Sequence, residues 1–205
     1  AVSLNATFSP TPAVAGSVGF VSQSGALGVA ILNVAAQLGI GLTQFVSMGN
    51  KADVSGNDLV EYWENDPATK VMCMYLESFG NPRRFTEIAK RVTKKKPILI
   101  VKAGRTAEGA RAASSHTGAL AGSDSAYDAL FRRYGIVRCE DIDQMIDTAA
   151  AFAFNPLPRG RRVVVLSASG GGAAWMADMF AAQGLELPEL DVQTRKEIDP
   201  LLPSY

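Results

Sequence analysis

The chain has 205 residues, 47% of them hydrophobic, with 20 basic and 20 acidic side chains and a formal net charge of zero. Balanced charge gives no electrostatic case for nucleic acid or an anionic membrane as partner, and no apolar run reaches the ~18 residues of a membrane span. Cys73 and Cys139 lie far apart in sequence and suggest neither a disulfide framework nor a zinc site, so a reducing cytoplasm fits.

The length suits one generous domain, or one domain plus part of another. Without an initiator methionine, and with an abrupt end at Leu201-Leu202-Pro203-Ser204-Tyr205, the chain reads as a fragment of something longer. Val18-Gly19-Phe20-Val21 reads as a buried strand, followed by a helix over Ala26 to Leu38 and a strand over Leu42 to Val46. A helix follows around Asn57 to Glu64, with Ser55 or Asn57 as N-cap. Val71 to Leu76 is too continuously apolar to be half exposed. Pro82 opens a helix running to Lys95, and Pro97 precedes the strand Ile98 to Val101. The basic run Lys94-Lys95-Lys96 suits the carboxyl end of a helix dipole better than a phosphate backbone. Continuously apolar strands alternating with helices predict an α/β fold, a parallel sheet covered on both faces.

After Lys102 this rhythm breaks. From Ala103 to about Gly122 there is little periodicity, and the stretch reads as a long glycine-punctuated loop, of the sort that is commonly functional. His116, the one histidine of the chain, stands near its end among Ala, Ser, Thr and Gly. An imidazole there is either a bland surface residue or a nucleophile, since near neutral pH the ring is mostly free base. Helix signals return over Ser123 to Tyr134, then a short strand at Ile136 to Arg138 and a helix from Asp141 to Phe152. Asn155 to Gly160 reads as a linker. Beyond it, Arg162 to Leu166 is expected as a strand, Ser167 to Gly172 as a glycine-rich turn and Ala173 to Gln183 as a helix.

Two turns share a layout: Ser22-Gln23-Ser24-Gly25-Ala26 and Ser167-Ala168-Ser169-Gly170-Gly171. Each feeds a helix whose first N–H groups and positive end favour an anion, although glycine also serves simple tight turning. Neither turn has the Walker or dinucleotide spacing. Glu77 falls at the carboxyl end of a central strand, the edge where open parallel sheets bind ligands. It is either a solvated strand-end residue or a carboxylate able to hold an imidazole N–H. Asp53 reads as loop or domain-interface structure, and Asp124, ahead of Asp128, as a first-turn helix residue.

Ser22-Gln23-Ser24-Gly25-Ala26-Leu27, Tyr75-Leu76-Glu77, Lys102-Ala103-Gly104-Arg105 and Ser115 to Gly122 together resemble the NDP-forming acyl-CoA synthetases. These are relatives of succinyl-CoA synthetase that include the ADP-forming acetate–CoA ligases. The resemblance implies a linker at 1–16 from a CoA-binding domain, a flavodoxin-like domain over 17–154, a linker at 155–160, and over 161–205 the start of a second flavodoxin-like domain. It implies that His116 is the phosphorylated histidine and Glu77 its orienting carboxylate. Ser22, Gln23, Ser24, Gly25 and Ala26 would then hold phosphate at one helix N-terminus, and Ser169, Gly170 and Gly171 at another. CoA, ATP or ADP and magnesium would be bound mainly by a CoA-binding domain and an ATP-grasp domain or subunit outside the chain, with a small carboxylic acid as co-substrate. The isolated chain is then expected to lack complete ligase activity. Two other readings stay open: a ligase-like regulatory region of a protein lysine acetyltransferase, in which the histidine is often replaced, and a non-catalytic assembly module.

Overall fold

The computed structural model describes residues 4–7, 9–49, 51, 53–117 and 123–202, with the side chains of 114–117 outside that description. The chain divides into two compact units, Ala1–Pro156 and Leu157–Tyr205. In the first, strands β1 (Ala15–Ser22), β2 (Leu42–Ser47), β3 (Val71–Leu76), β4 (Ile98–Lys102) and β5 (Val137–Cys139) form one parallel sheet in the order β2-β1-β3-β4-β5. That is the doubly wound, flavodoxin-like order, which reverses direction between β1 and β3.

Each strand is followed by helix: α1 (Gly25–Gln37), α2 (Gly56–Asn65), α3 (Pro82–Val92), α4 (Ala107–Thr117) with α5 (Asp124–Tyr134), and α6 (Ile142–Phe154). The two-residue period of the central strands sorts their side chains into two cores. Val71, Cys73, Leu99 and Val101 pack with Ile31 and Leu32 of α1 and Met145 and Ile146 of α6. Met72, Met74, Leu76, Ile98 and Ile100 pack on the other face with Val60 and Trp63 of α2, Phe85 and Ile88 of α3 and Phe131 of α5. Both cores therefore come from strands that the sequence marks as continuously apolar. Gly19 lets the second core close: a Cβ there would lie 2.8 Å from the ring of fully buried Trp63. The Trp63 indole N–H in turn donates to Gln44 Oε1 at 2.7 Å.

Two expectations change. The stretch after Lys102 is not a long loop, because 107–117 is helical. Thr106 begins it, its Oγ1 accepting from Gly109 N at 3.0 Å, and Gly104 at φ +77° turns the chain out of β4. Alanine favours helix without needing an apolar face, so an exposed, alanine-rich helix shows no hydrophobic period. Gly118 to Gly122, the rest of the expected loop, lie outside the described residues. The lysine run does serve the carboxyl end of a helix, that of α2. Lys96 Nζ donates to Trp63 O and Asp66 O at 2.6 Å each, and Lys95 Nζ pairs with Glu64 at 2.7 Å.

The second correction lies in the second unit. The expected strand Arg162 to Leu166 is a single parallel bridge, Arg162 to Glu186. A strand exists through its neighbours, and here Val164 and Leu166 are 60% and 78% exposed. Helix α7 (Gly170–Ala182) forms close to where the pattern places it, and α8 (Val192–Ile198) follows with a 3-10 turn at Asp199–Leu201.

Candidate functional site

The carboxyl ends of β1 and β3 lie side by side, with Ser22 opposite Tyr75 in the register. The Ser22–Ala26 turn and Glu77 therefore meet at the point where the strand order reverses, the place where open α/β sheets bind ligands. Ser22 is fully buried and fixes the turn: its Oγ donates to Ser24 O at 2.7 Å and accepts from Ser24 N at 3.1 Å. Ser24 caps α1, its Oγ accepting from Leu27 N at 3.4 Å. Ser22 gives its one proton to the turn, whereas Ser24 Oγ only accepts there, so the groups the turn offers an anion are the leading N–H groups of α1, at Gly25 and Ala26, and the Ser24 O–H.

Gln23 faces the other way. Its backbone N–H donates to Tyr75 O at 3.1 Å. Its side-chain Oε1 accepts from Glu77 N at 2.7 Å and Ser78 N at 3.0 Å, while Nε2 donates to Ser78 O at 2.6 Å. Lys51, from the loop after β2, reaches the same residue, donating from Nζ to Ser78 O and Ser78 Oγ at 2.8 Å each. It does so from a backbone with φ of +54°, uncommon outside glycine. Phe79 anchors the loop from below, its ring 4.4 Å from that of Phe85 and 5.0 Å from that of Tyr127.

Held this way, Glu77 has its Oε2 buried without a hydrogen-bond partner among the described residues. Two lysines sense its charge. Burial lowers the pKa of Lys51, and Glu77 opposes that. Burial also lowers the pKa of Lys102; Asp124 and Glu77 oppose the change, Arg138 and Lys51 reinforce it. Lys102 is 3% exposed at the end of β4, with its ammonium 5.2 Å from the centre of the Tyr127 ring and bonded to Ala103 O. Tyr75 is pushed up, mainly by burial and then by Glu77. A buried carboxyl oxygen without a donor among the described residues, at the sheet edge where α1 begins, is an acceptor awaiting an N–H or O–H.

His116 occupies the last turn of α4, which leaves the same sheet edge through β4; its imidazole lies outside the described side chains. Ser169, Gly170 and Gly171 lie in the second unit, where Ser169 caps α7 through Gly172 N at 3.2 Å. Asp53 is exposed. Asp124 begins α5 and pairs with Arg138 at 2.5 Å, and Asp128 pairs with Arg132. Sequence reasoning missed Lys51, Lys102 and Phe79. A lysine closing the apolar run Ile98 to Val101 was the available signal for Lys102; nothing local marks Lys51 or Phe79.

Residues 15–152 match the family model described as succinyl-CoA ligase like flavodoxin domain. The alpha subunit of ADP-forming acetate–CoA ligase II from Pyrococcus furiosus is 44% identical over 200 residues, which are 98% of this chain and 43% of that protein. ADP-forming 4-hydroxybutyrate–CoA ligase from Nitrosopumilus maritimus is 39% identical over 204 residues, 98% of this chain and 29% of that one. Among solved structures, dinucleotide-forming acetyl-coenzyme A synthetase 1 of Ca. Korarchaeum cryptofilum, in complex with phosphate and ADP, aligns with a TM-score of 0.90 at 41% identity. The match covers 98% of this chain and 44% of that one. The chain thus spans less than half the length of each of these three relatives.

Proposed function

The chain belongs to the succinyl-CoA ligase-like flavodoxin domain family, and we propose that it is the phosphotransfer part of an ADP-forming acyl-CoA ligase of the cytoplasm. The carrying observation is the buried Glu77 oxygen, without a donor among the described residues, at the β1–β3 switch point where α1 begins.

In the acyl-CoA-consuming direction, a phosphate oxygen attacks the thioester carbon, the C–S bond breaks, and acyl phosphate and free CoA result. A ring nitrogen of His116 then attacks the phosphorus of the acyl phosphate; the P–O bond to the acyl group breaks and the carboxylate leaves. Glu77 accepts the hydrogen bond of the other ring N–H, which fixes the tautomer and stabilises the positive charge that the ring gains. The N–H groups of Gly25 and Ala26, with the α1 dipole, hold the phosphoryl charge. In the second unit, Ser169, Gly170 and Gly171 form a like phosphate-binding helix start at α7. Transfer from His116 to the terminal phosphate oxygen of ADP breaks the P–N bond and gives ATP; each step is reversible. CoA, nucleotide and magnesium are held by CoA-binding and ATP-grasp domains or subunits beyond this chain. Among the described residues no group of three or more His, Cys, Asp or Glu side chains could hold a metal ion.

The whole ligase, given labelled ATP and magnesium, should carry acid-labile, alkali-stable phosphate on His116, and acid plus CoA should discharge it. His116→Asn should carry none. No label from a preparation that binds ATP would overturn the reading in favour of sensing or assembly.

A further inference from the structure

We propose that Gln23 is a positioning residue that sets the place of the Glu77 carboxylate, and not a phosphate ligand. The inference rests on the phosphohistidine reading above, in which Glu77 holds the imidazole. Gln23 is 6% exposed, and its side-chain bonds all cross to residues 54 or 55 positions away. They grip both sides of one turn of backbone: two N–H groups on Oε1 and one carbonyl on Nε2. That pattern also fixes the orientation of the amide, since the flipped form would put donors against donors.

Only a primary amide on a two-carbon stem does this from the end of β1. Methionine would leave the N–H groups of Glu77 and Ser78 without their acceptor. Glutamate would keep that acceptor but lose the donor to Ser78 O. The contact matters to Glu77 in particular because, among the described residues, no hydrogen bond holds its Oε2 in place. Its position comes from its own backbone, which Gln23 holds at the Glu77 N–H, and from Ser78, which Lys51 holds from the opposite side. Through Gln23, the turn that opens α1 and the loop that carries Glu77 are one rigid piece. The phosphoryl group and the imidazole that attacks it are thereby referred to a common frame.

The test is a double-mutant cycle in the whole ligase, reading the single-turnover rate of phosphate incorporation on His116 beside the thermal midpoint. A misplacement of order 1 Å at a reacting centre costs about 100-fold, so Gln23→Met should slow incorporation by about 30- to 100-fold at saturating substrate. In a Glu77→Gln background the same substitution should cost nothing further, because the group it positions is already gone. A merely structural role would instead multiply with Glu77→Gln; a lower midpoint is expected on either account, because methionine leaves two N–H groups without their acceptor. Either that multiplicative result or a wild-type rate in Gln23→Met overturns the inference. Should Gln23→Met fail to fold, Gln23→Glu replaces it in the cycle, with a smaller loss and the same absence of further effect beside Glu77→Gln. The two readings fail differently: label on wild-type His116 with a neutral Gln23→Met sinks this inference alone, whereas no label on the wild type sinks both.

Discussion

The turn at Ser22–Gly25 and the turn at Ser167–Gly170 are built alike and placed differently. In each, the first serine Oγ donates to the carbonyl of the second, at 2.7 and 3.0 Å, and accepts from its N–H at 3.1 Å. The second serine caps the helix from nearly the same backbone, φ −111° and ψ 118° at Ser24 against φ −114° and ψ 119° at Ser169. Yet Ser22 is fully buried at the end of an eight-residue strand inside a five-stranded sheet. Ser167 is exposed and follows a segment with one bridge. The four-residue sequence is enough to make the turn and the cap. What it is worth depends on whether a sheet surrounds it.

The largest effect should come from breaking the sheet beneath the first turn. Gly19→Val drives a branched side chain into Trp63, where even a Cβ has 2.8 Å, and should cost about 3 kcal/mol. Chemical denaturation followed by Trp63 fluorescence should show it; hydrogen exchange of α7 should not move.

Serine removal tests the comparison directly. Ser22→Ala removes a fully buried hydroxyl and leaves Ser24 N without its acceptor, while Ser24 O keeps its bond from Gly28 N at 3.0 Å, a loss of about 1–2 kcal/mol. Ser167→Ala exposes the same groups to water and should change the stability of its unit by less than about 0.5 kcal/mol. Equal losses in denaturant titrations of the two variants would mean that burial is not what separates the turns.

Capping should be nearly the same at both sites. Ser24→Ala and Ser169→Ala each remove one acceptor from a first turn, and about 1 kcal/mol of helix stability is expected from each. Exchange rates of the Leu27 and Gly172 amides report it locally.

The smallest effect is on acid stability. Hydrogen bonds from Ser55, then the Arg84 guanidinium, hold the Asp58 carboxyl down to about 2. A carboxyl whose folded pKa is depressed stabilises fully above its unfolded value near 4 and loses that contribution as pH falls toward about 2. The first unit should therefore soften over that window, and Asp58→Asn should flatten this part of a stability-against-pH curve. Because the pair is part exposed, the effect should shrink in high salt.

Legibility in the sequence followed the distance over which each contact acts. The central strands could be read because burial on both faces forbids polar positions from Val71 to Leu76. The start of α3 could be read because Pro82 favours a first helical turn; the cap before it, Asn81, whose Oδ1 accepts from Arg84 N at 3.1 Å, came from the structure. Helix α4 was missed because its alanines and serines carry no apolar stripe, so the one periodic signal for a helix is absent. The strand at Arg162 was overread for the opposite reason: an apolar run was present, but pairing depends on partners that the run does not contain.

For the site the division is the same. The sequence by itself determined the two serine–glycine turns, their caps and the helices they open, because every bond involved joins residues two or three apart. It also placed Glu77 at a strand end. Only the tertiary structure decided that β3 lies beside β1, and therefore that Gln23 turns toward Glu77 and Ser78 rather than toward an anion. It alone brought Lys51 and Lys102 within reach of the Glu77 charge. Those contacts span roughly 25 to 55 positions, and no local rule fixes them until the sheet has set its strand order.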